Sequence, residues 1–449
     1  RWPRGECAPA LQYRPRIFGA PPRRRIPHPC EEFSVVPPRK AQGSKASPPP
    51  GRCTETLFVP NWVGEGADAL DLDGDLDLFA TRYLKWTPDT ELTCYSPLGG
   101  EDYCSPRNYL SPAVDIYYRN LGDGRFEDAT VSAGFDQANG TGLGVIHADI
   151  NGDRRPDFFV ANDGMRDLLW VSHPSGQWKE AGMERGCAVD DEGIAKAGMG
   201  VDAADIDDDN DFDLIVCNLT GESDSIFRND GDYFVDITGR TGVRAATRHA
   251  TRFGLAWRDF DHDGWLDLFE ANGAVTRQNA PPDEDPYAQS NTLLKGSENG
   301  RFSILDHGLS PNDVLTSRAA AFGDLDGDGG IDIVIVNRDA PITLLHNVHP
   351  DRGNWIGVDL RDASGRPAIG AELRCRLGER TLLKQVQRAG SYMAMSDPTI
   401  HIGLGEHAFL EDVTIRWPNG QTAPLGRLEG GRVHEVTSAS SNGRSEEKK

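Results

Sequence analysis

Aspartates recur on alternate positions at five places in this chain, and each run leads into an apolar stretch. The clearest copies are Asp205-Ile-Asp207-Asp-Asp209-Asn-Asp211-Phe-Asp213, Asp259-Phe-Asp261-His-Asp263-Gly264-Trp-Leu-Asp267 and Asp324-Leu-Asp326-Gly-Asp328-Gly329-Gly-Ile-Asp332. A fourth, Asp149-Ile-Asn151-Gly-Asp153-Arg154-Arg-Pro-Asp157, carries Asn at its third position and Arg where Gly is usual. In a tight loop the first, third and fifth side chains converge on one point, and an Asp at the ninth closes the cage. An all-oxygen cage suits a hard divalent cation, above all Ca2+. The candidate ligands are Asp149, Asn151, Asp153 and Asp157; Asp205, Asp207, Asp209 and Asp213; Asp259, Asp261, Asp263 and Asp267; and Asp324, Asp326, Asp328 and Asp332. The first copy is set apart. Taking Asp77 as its closing ligand puts Asp71 and Asp73 at the third and fifth positions and leaves Ala69 at the first.

An EF-hand competes for one copy, because Asp259 to Glu270 meets its twelve-residue pattern with Gly264 sixth and Glu270 twelfth. The other twelfth positions are Val160, Val216 and Ile335. The residues after each ninth Asp, such as Phe158-Phe159-Val160 and Leu214-Ile215-Val216, are β-favouring rather than an amphipathic helix. Glu270 is then a coincidence of spacing.

The elements that must position these loops repeat with them. Asn162, Asn218, Asn272 and Asn337 each follow a closing Asp by five residues, and Gly144, Gly200, Gly254 and Ala319 precede a first Asp by five. Turn and packing chemistry accounts for both. The unit runs small residue, short strand, acidic loop, buried strand, Asn turn. Loops start at 149, 205, 259 and 324, a spacing that suits one four-stranded propeller blade. A second phrase, Asn120-Leu-Gly-Asp-Gly-Arg-Phe126 and Asn229-Asp-Gly-Asp-Tyr-Phe234, reads as a β-hairpin between blades. A blade cannot bury its faces alone, so neighbours must stack around a ring.

These phrases resemble FG-GAP/VCBS repeats, the calcium-loop propeller repeats also found in integrin α-chain heads. Residues 353–437 resemble the ASPIC/UnbV domain through Asn354-Trp355-Ile-Gly-Val-Asp-Leu, Ile369-Gly370-Ala371, Gly390-Ser-Tyr392, Gly403-Leu404-Gly405 and Trp417-Pro418-Asn419-Gly420. Together they resemble the cartilage acidic protein family and its bacterial relatives. The resemblance implies an all-β chain: an integrin-α-like β-propeller over 55–348, with five acidic-loop blades visible and up to seven expected, then a small sandwich-like domain over 353–437. It also implies a paired-cysteine insertion like that of bacterial members. Cys94 and Cys104, which flank a Gly-rich insertion, read as that disulfide, whereas Cys187, Cys217 and Cys375 read as single buried thiols. Cys7, Cys30 and Cys53 stay unassigned.

The 449 residues suffice for two cores, and the net charge of −23 is unevenly placed. Residues 1–54 are basic and rich in proline, including Pro48-Pro49-Pro50, and read as disordered; 438–449 form a polar tail. The Arg23-Arg24-Arg25 cluster reads as part of a solvated tail. The acidic body discourages nucleic-acid binding, and no apolar run approaches the length of a membrane span. Calcium loops and a stapled insertion point to an extracellular or periplasmic, secreted protein, although no signal peptide is visible in a chain that begins at Arg1.

Catalytic chemistry is hard to place. Most conspicuous aspartates are committed to repeats, the histidines are scattered, and no Gly-x-Ser-x-Gly elbow, phosphate loop or dinucleotide fingerprint occurs. No catalytic residue is assigned. The expectation is a calcium-stabilised adhesion or recognition module for an extracellular protein or glycan. The alternative is an enzyme of polysaccharide lyase, hydrolase or tailoring type at the propeller channel mouth. That alternative calls for a pocket with convergent Arg, His or Tyr away from the acidic loops. The insertions at 94–104 and 274–291 are the sequence's own candidates for such a unique surface.

Overall fold

The computed structural model describes residues 11–12, 66–71, 76–122, 124–281, 284–305, 314–349 and 352–438. Among the described residues five four-stranded antiparallel sheets follow one another, the five blades visible in the sequence out of the up to seven that the resemblance implies. The first comprises Ala67–Asp71, Leu76–Ala80, Ile116–Asn120 and Phe126–Asp128. The second comprises Gly142–Ala148, Asp157–Asn162, Leu168–Ser172 and Trp178–Glu180, and the third Val201–Ala204, Asp213–Val216, Ser225–Asn229 and Phe234–Asp236. The fourth runs Arg252–Arg258, Asp267–Asn272, Thr292–Lys295 and Ser303–Ile304. The fifth takes Ser317–Gly323, Asp332–Asn337 and Thr343–Asn347 and is completed by Leu11–Gln12, which pairs with Asn347 and His346. The rest of the basic segment 1–54, expected to be disordered, lies outside the described residues, as do Cys7, Cys30 and Cys53.

Blade strands are buried on both faces, which is why their sequences are continuously apolar rather than alternating: Asp157–Asn162 and Asp267–Asn272 are buried at every residue. The recurring small residue has a steric cause. A Cβ on Gly144 would overlap the Met199 carbonyl oxygen, one on Gly200 that of Phe253, and one on Gly254 the backbone nitrogen of Ala320. Each glycine thus lets the first strand of the next blade lie against its own. Gly66 meets the Leu143 oxygen in the same way, five residues before Asp71. The strand register agrees: Leu70 pairs with Asp77 as Ala148 pairs with Asp157. Asp71 therefore holds the first position of the first loop, which is two residues shorter than the others. The phase that put Ala69 first is corrected by this pairing.

The C-terminal domain is a two-sheet sandwich. Asn354–Arg361 lies between Ile400–Gly405, antiparallel, and Val433–Thr437, parallel; the facing sheet is ordered Arg380–Gln385, Glu372–Leu377, Phe409–Arg416, Thr422–Glu429. Its core joins Ile356, Val358, Leu373, Val413, Ile415 and Trp417. From this sandwich the segment Gly390-Ser391-Tyr392 enters the propeller channel. The Ser391 N–H donates to the Val201 oxygen at 2.7 Å, and the Val201 N–H returns a bond to Ser391 at 3.1 Å. Ser391 Oγ accepts from the Leu255 N–H at 3.1 Å and donates to the Ala320 oxygen at 2.8 Å. One serine thereby ties the inner strands of the third, fourth and fifth blades.

Candidate functional site

All acidic loops connect the first and second strands of their sheets, so they share one face of the propeller. In each complete loop the first Asp accepts a hydrogen bond from the backbone N–H of the sixth residue: Arg154 to Asp149 at 2.8 Å, Asn210 to Asp205 at 3.2 Å, Gly264 to Asp259 at 2.8 Å and Gly329 to Asp324 at 2.9 Å. That residue sits at positive φ in every copy, 70° at Arg154 and 93° at Gly264, which explains the usual glycine. The ninth Asp clasps backbone with both oxygens. Asp213 accepts from Ile206 at 3.0 Å and Asn229 at 2.8 Å, Asp267 from Phe260 at 3.0 Å and Gly296 at 2.9 Å. Asp157 and Asp332 do the same. In the short first loop Asp77 accepts the Asn120 N–H and the Tyr117 hydroxyl. The side chains of Asp71 and Asp73 lie outside the described residues.

Three loops bring carboxylates to one point. Ligand oxygens of Asp205, Asp207 and Asp213, of Asp259, Asp261 and Asp263, and of Asp324, Asp326 and Asp328 each fall within 4.8 Å of one another. Asp326 and Asp332 also converge with His346. Asp209 is not among the converged oxygens, although it accepts the Asp211 N–H just as the fifth Asp of every complete loop accepts the N–H two residues on. In the second loop Asn151 Nδ2 donates to Asp153 at 2.9 Å, and Asp153 also pairs with Arg155. Burial first, with repulsion among neighbouring carboxylates adding to it, raises Asp157 and Asp213 to about 8 and Asp267 to about 7, and holds Asp259 well above its usual range. Burial likewise lifts Asp149 and Asp205 to about 6. Asp149 Oδ1 and Asp205 Oδ1 are buried with no hydrogen-bond partner. Crowded, desolvated hard-oxygen donors with orphaned lone pairs fit a divalent cation. Glu270 does not join them: it is fully buried in the second strand of its blade, facing Asp224 and Arg252.

The C-terminal domain sits on this acidic face, and basic residues of its strands and of the segment leading into it reach the loops one by one. Arg416 reaches Asp149 at 3.1 Å, Arg374 reaches Asn210 at 3.0 Å, and Arg380 pairs with Asp208 at 2.6 Å while stacking on Trp265. Arg352 pairs with Asp328 at 2.7 Å, and His401 faces the Gly329 oxygen at 2.7 Å. Within the blades, Lys295 bridges Asp261 and Asp263. In sequence Arg374 and Arg416 alternate with apolar residues along their strands, and the fold turns both toward the acidic loops.

The opposite face is built differently. There the Cys94–Cys104 disulfide closes the first insertion, as expected; elsewhere in the fold Cys187, Cys217 and Cys375 are buried free thiols, the last in the core of the C-terminal sandwich. The two insertions meet: Asp102 accepts the Arg277 N–H at 2.7 Å and the Tyr287 hydroxyl at 3.2 Å, and Tyr103 packs edge-on to Tyr287. Beside them a cavity of about 120 Å3 opens at the channel mouth, lined by Tyr83, Tyr103, Leu143, Asp163, Phe253 and Arg318 among others. All five blades contribute to it. The Tyr83 hydroxyl donates to Asp163 at 2.6 Å; burial raises Asp163 to about 6 against the lowering effect of that bond. Burial also draws Arg318 down to about 10. Tyr392, arriving from the C-terminal domain, packs on Phe253 at 4.9 Å within the same buried cluster.

Reading the acidic repeats alone misses this mouth, because its side chains differ from blade to blade. Aligning the copies exposes it. The residue six before the first Asp is Leu143, Met199, Phe253 and Arg318, and the residue fourteen after is Asp163, Leu219, Gly273 and Arg338.

Residues 149–216 match the FG-GAP-like repeat family and residues 361–443 match ASPIC and UnbV. Cartilage acidic protein 1 of Homo sapiens is 24% identical over 309 residues, covering 66% of this chain and 43% of the relative. The Mus musculus protein is 24% identical over 302 residues, covering 66% and 44%. The chain thus spans less than half the length of the curated relatives it matches. Among solved structures, an Agrocybe aegerita lectin described by its recognition of non-reducing terminal N-acetylglucosamine aligns with TM-score 0.33 and 17% identity over 64% of this chain and 68% of its own. The V. cholerae biofilm matrix protein Bap1 aligns with TM-score 0.33 and 11% identity over 82% and 61%. No helix among the described residues is long and apolar enough to cross a membrane.

Proposed function

As an FG-GAP-repeat chain with an ASPIC and UnbV domain, homologous at modest identity to cartilage acidic protein 1, this protein is, we propose, a secreted extracellular or periplasmic recognition module. Calcium fixes one propeller face, and the other face meets a protein or glycan. One observation carries this reading: the repeating acidic face is occupied by the protein's own C-terminal domain, while the far mouth presents a cavity made of unrepeated side chains.

Calcium is structural in this reading. Asp205, Asp207, Asp213, Asp259, Asp261, Asp263, Asp324, Asp326 and Asp328 would hold it, and the ion supplies the positive charge that lets their crowded carboxylates ionise together. The protein's own groups do the rest: closing aspartates clasp the backbone, and arginines of the C-terminal domain take up the carboxylates that face outward. Immobilised protein presented with a glycan array and matrix proteins, with calcium and then with EDTA, tests the reading. Retention of a ligand, lost when Asp163→Asn and Tyr83→Phe are combined, is the expected result; capture indifferent to both changes would sink it.

A second reading rests on the Tyr83–Asp163 pair. A carboxyl raised to about 6 beside a buried tyrosine, in a cavity that Arg318 also lines, has the makings of a proton-transfer site. Chromatography of acidic oligosaccharides incubated with the protein decides it, with product formation abolished by Asp163→Asn as the positive outcome.

A further inference from the structure

We propose that the far mouth binds a ring-sized carboxylate ligand, with Arg318 as the receptor for its anionic group. The inference rests on the recognition reading above and names the ligand class of that site.

The first support is positional. In three blades the residue that precedes the recurring glycine at the channel mouth is apolar: Leu143, Met199 and Phe253. The first blade carries Glu65 at this place, outside the described residues, and the fifth carries Arg318. Packing alone favours another apolar side chain there, since a buried charge is costly unless it is compensated.

The second support is that Arg318 has no ion-pair partner among the described residues. Arg318 Nη1 donates to the carbonyl oxygens of Gly273 and Ser317, both at 2.9 Å, and Nη2 donates to that of Ala274 at 3.0 Å. The guanidinium lies 4.2 Å from the Phe253 ring centre. These contacts fix the plane of the guanidinium at the wall of a cavity; Asp285 acts on its charge only from beyond ion-pair distance, so among the described residues no carboxylate pairs with it. A planar guanidinium with donors to spare is the side chain best suited to a carboxylate.

The third support is lining. The cavity is about 120 Å3 and opens at the channel mouth, less than the roughly 150 Å3 that encloses a benzene ring, so it takes the anionic end and part of one ring while the rest stays outside. Leu143, Met199, Phe253 and Val275 give it apolar walls for a ring face, and Ser105 and Thr276 supply hydroxyls. The shared chemistry is a carboxylate on a single ring. A uronic acid sugar and a ring-bearing organic acid are its two sources.

Calorimetry on the full calcium-loaded chain, with glucuronate, phenylacetate and their neutral counterparts glucose and 2-phenylethanol, tests the proposal. At least one acid is expected to bind tenfold or more tightly than its neutral counterpart; preference for glucuronate identifies the sugar source, preference for phenylacetate the other. Arg318→Met, which installs the residue the third blade carries at this position, should erase that preference while the melting temperature stays level or rises. Should Arg318→Met not fold, Arg318→Lys keeps the charge without the fork and should weaken acid binding severalfold. Equal binding of acid and neutral compound, binding of neither acid, or an Arg318→Met protein that still prefers the acid would overturn it. Equal binding that Tyr83→Phe with Asp163→Asn still weakens would remove the carboxylate assignment alone and leave the recognition reading standing.

Discussion

The two faces of the propeller are built on opposite principles. On the acidic face the same side chains return in blade after blade, and each makes the same backbone bond, so Asp213, Asp267 and Asp332 are interchangeable in role. On the far face the equivalent positions hold Tyr83, Asp163, Leu219, Gly273 and Arg338, and no two do the same thing. Repetition serves assembly, because a ring needs identical joints. Recognition needs asymmetry, and it is found where the repeat lapses.

The comparison breaks most visibly under chelation. With three converged loops filled, a hundredfold excess of calcium over its Kd contributes about 3 kcal/mol per site, so EDTA should lower the melting temperature by roughly 10 °C or more. Calorimetry showing no shift would mean that Lys295, Arg380 and Arg416 already neutralise the acidic face. Next in size is Tyr392→Ala, which empties a fully buried aromatic site at the floor of the far mouth and should cost about 3–5 kcal/mol. Denaturant titration measures that loss, and because Tyr392 belongs to the C-terminal domain, a value near zero would uncouple the two faces.

Two loop variants separate clasp from ligand. Asp267→Ala leaves two backbone N–H groups without their acceptor and should cost about 2–4 kcal/mol with or without calcium. Asp205→Ala should instead destabilise chiefly when calcium is present, a contrast read from paired melts in calcium and EDTA. The smallest effect concerns pH at the far face. Asp163 has a folded value near 6, above the usual carboxylate value, so the stability its protonated form contributes is complete below about pH 4 and is lost as pH rises through 6. Asp163→Asn should flatten that part of the melting curve against pH by a few degrees. Tyr83→Phe, which removes a bond that favours the ionised carboxylate, should move the transition upward.

Much of the acidic face was legible in the sequence because its chemistry is local. Loop spacing, the Asn turn and the small residue before each loop all lie within one short unit. The phase of the first loop was not, since it depends on the pairing of Leu70 with Asp77 across a shortened turn. Docking of the C-terminal domain was not legible either. Arg374 and Arg416 occupy alternating strand patterns that look like ordinary wet faces, and only the fold brings Asn210 and Asp149 to them. Gly390-Ser391-Tyr392 marked a family in the sequence and turned out to fill a channel. The insertions at 94–104 and 274–291 were visible as unusual, but their mutual contact through Asp102 was not.

Ser391 also imposes an order on the protein's birth. The chain emerges from the ribosome N-terminus first, so all five blades are synthesised before the residue that links three of their inner strands. Until residue 391 appears, the channel walls around Val201, Leu255 and Ala320 lack that partner. A propeller cut off before the C-terminal domain should therefore be a sticky, slowly maturing species, and the last domain made acts as the keystone that ends its exposure.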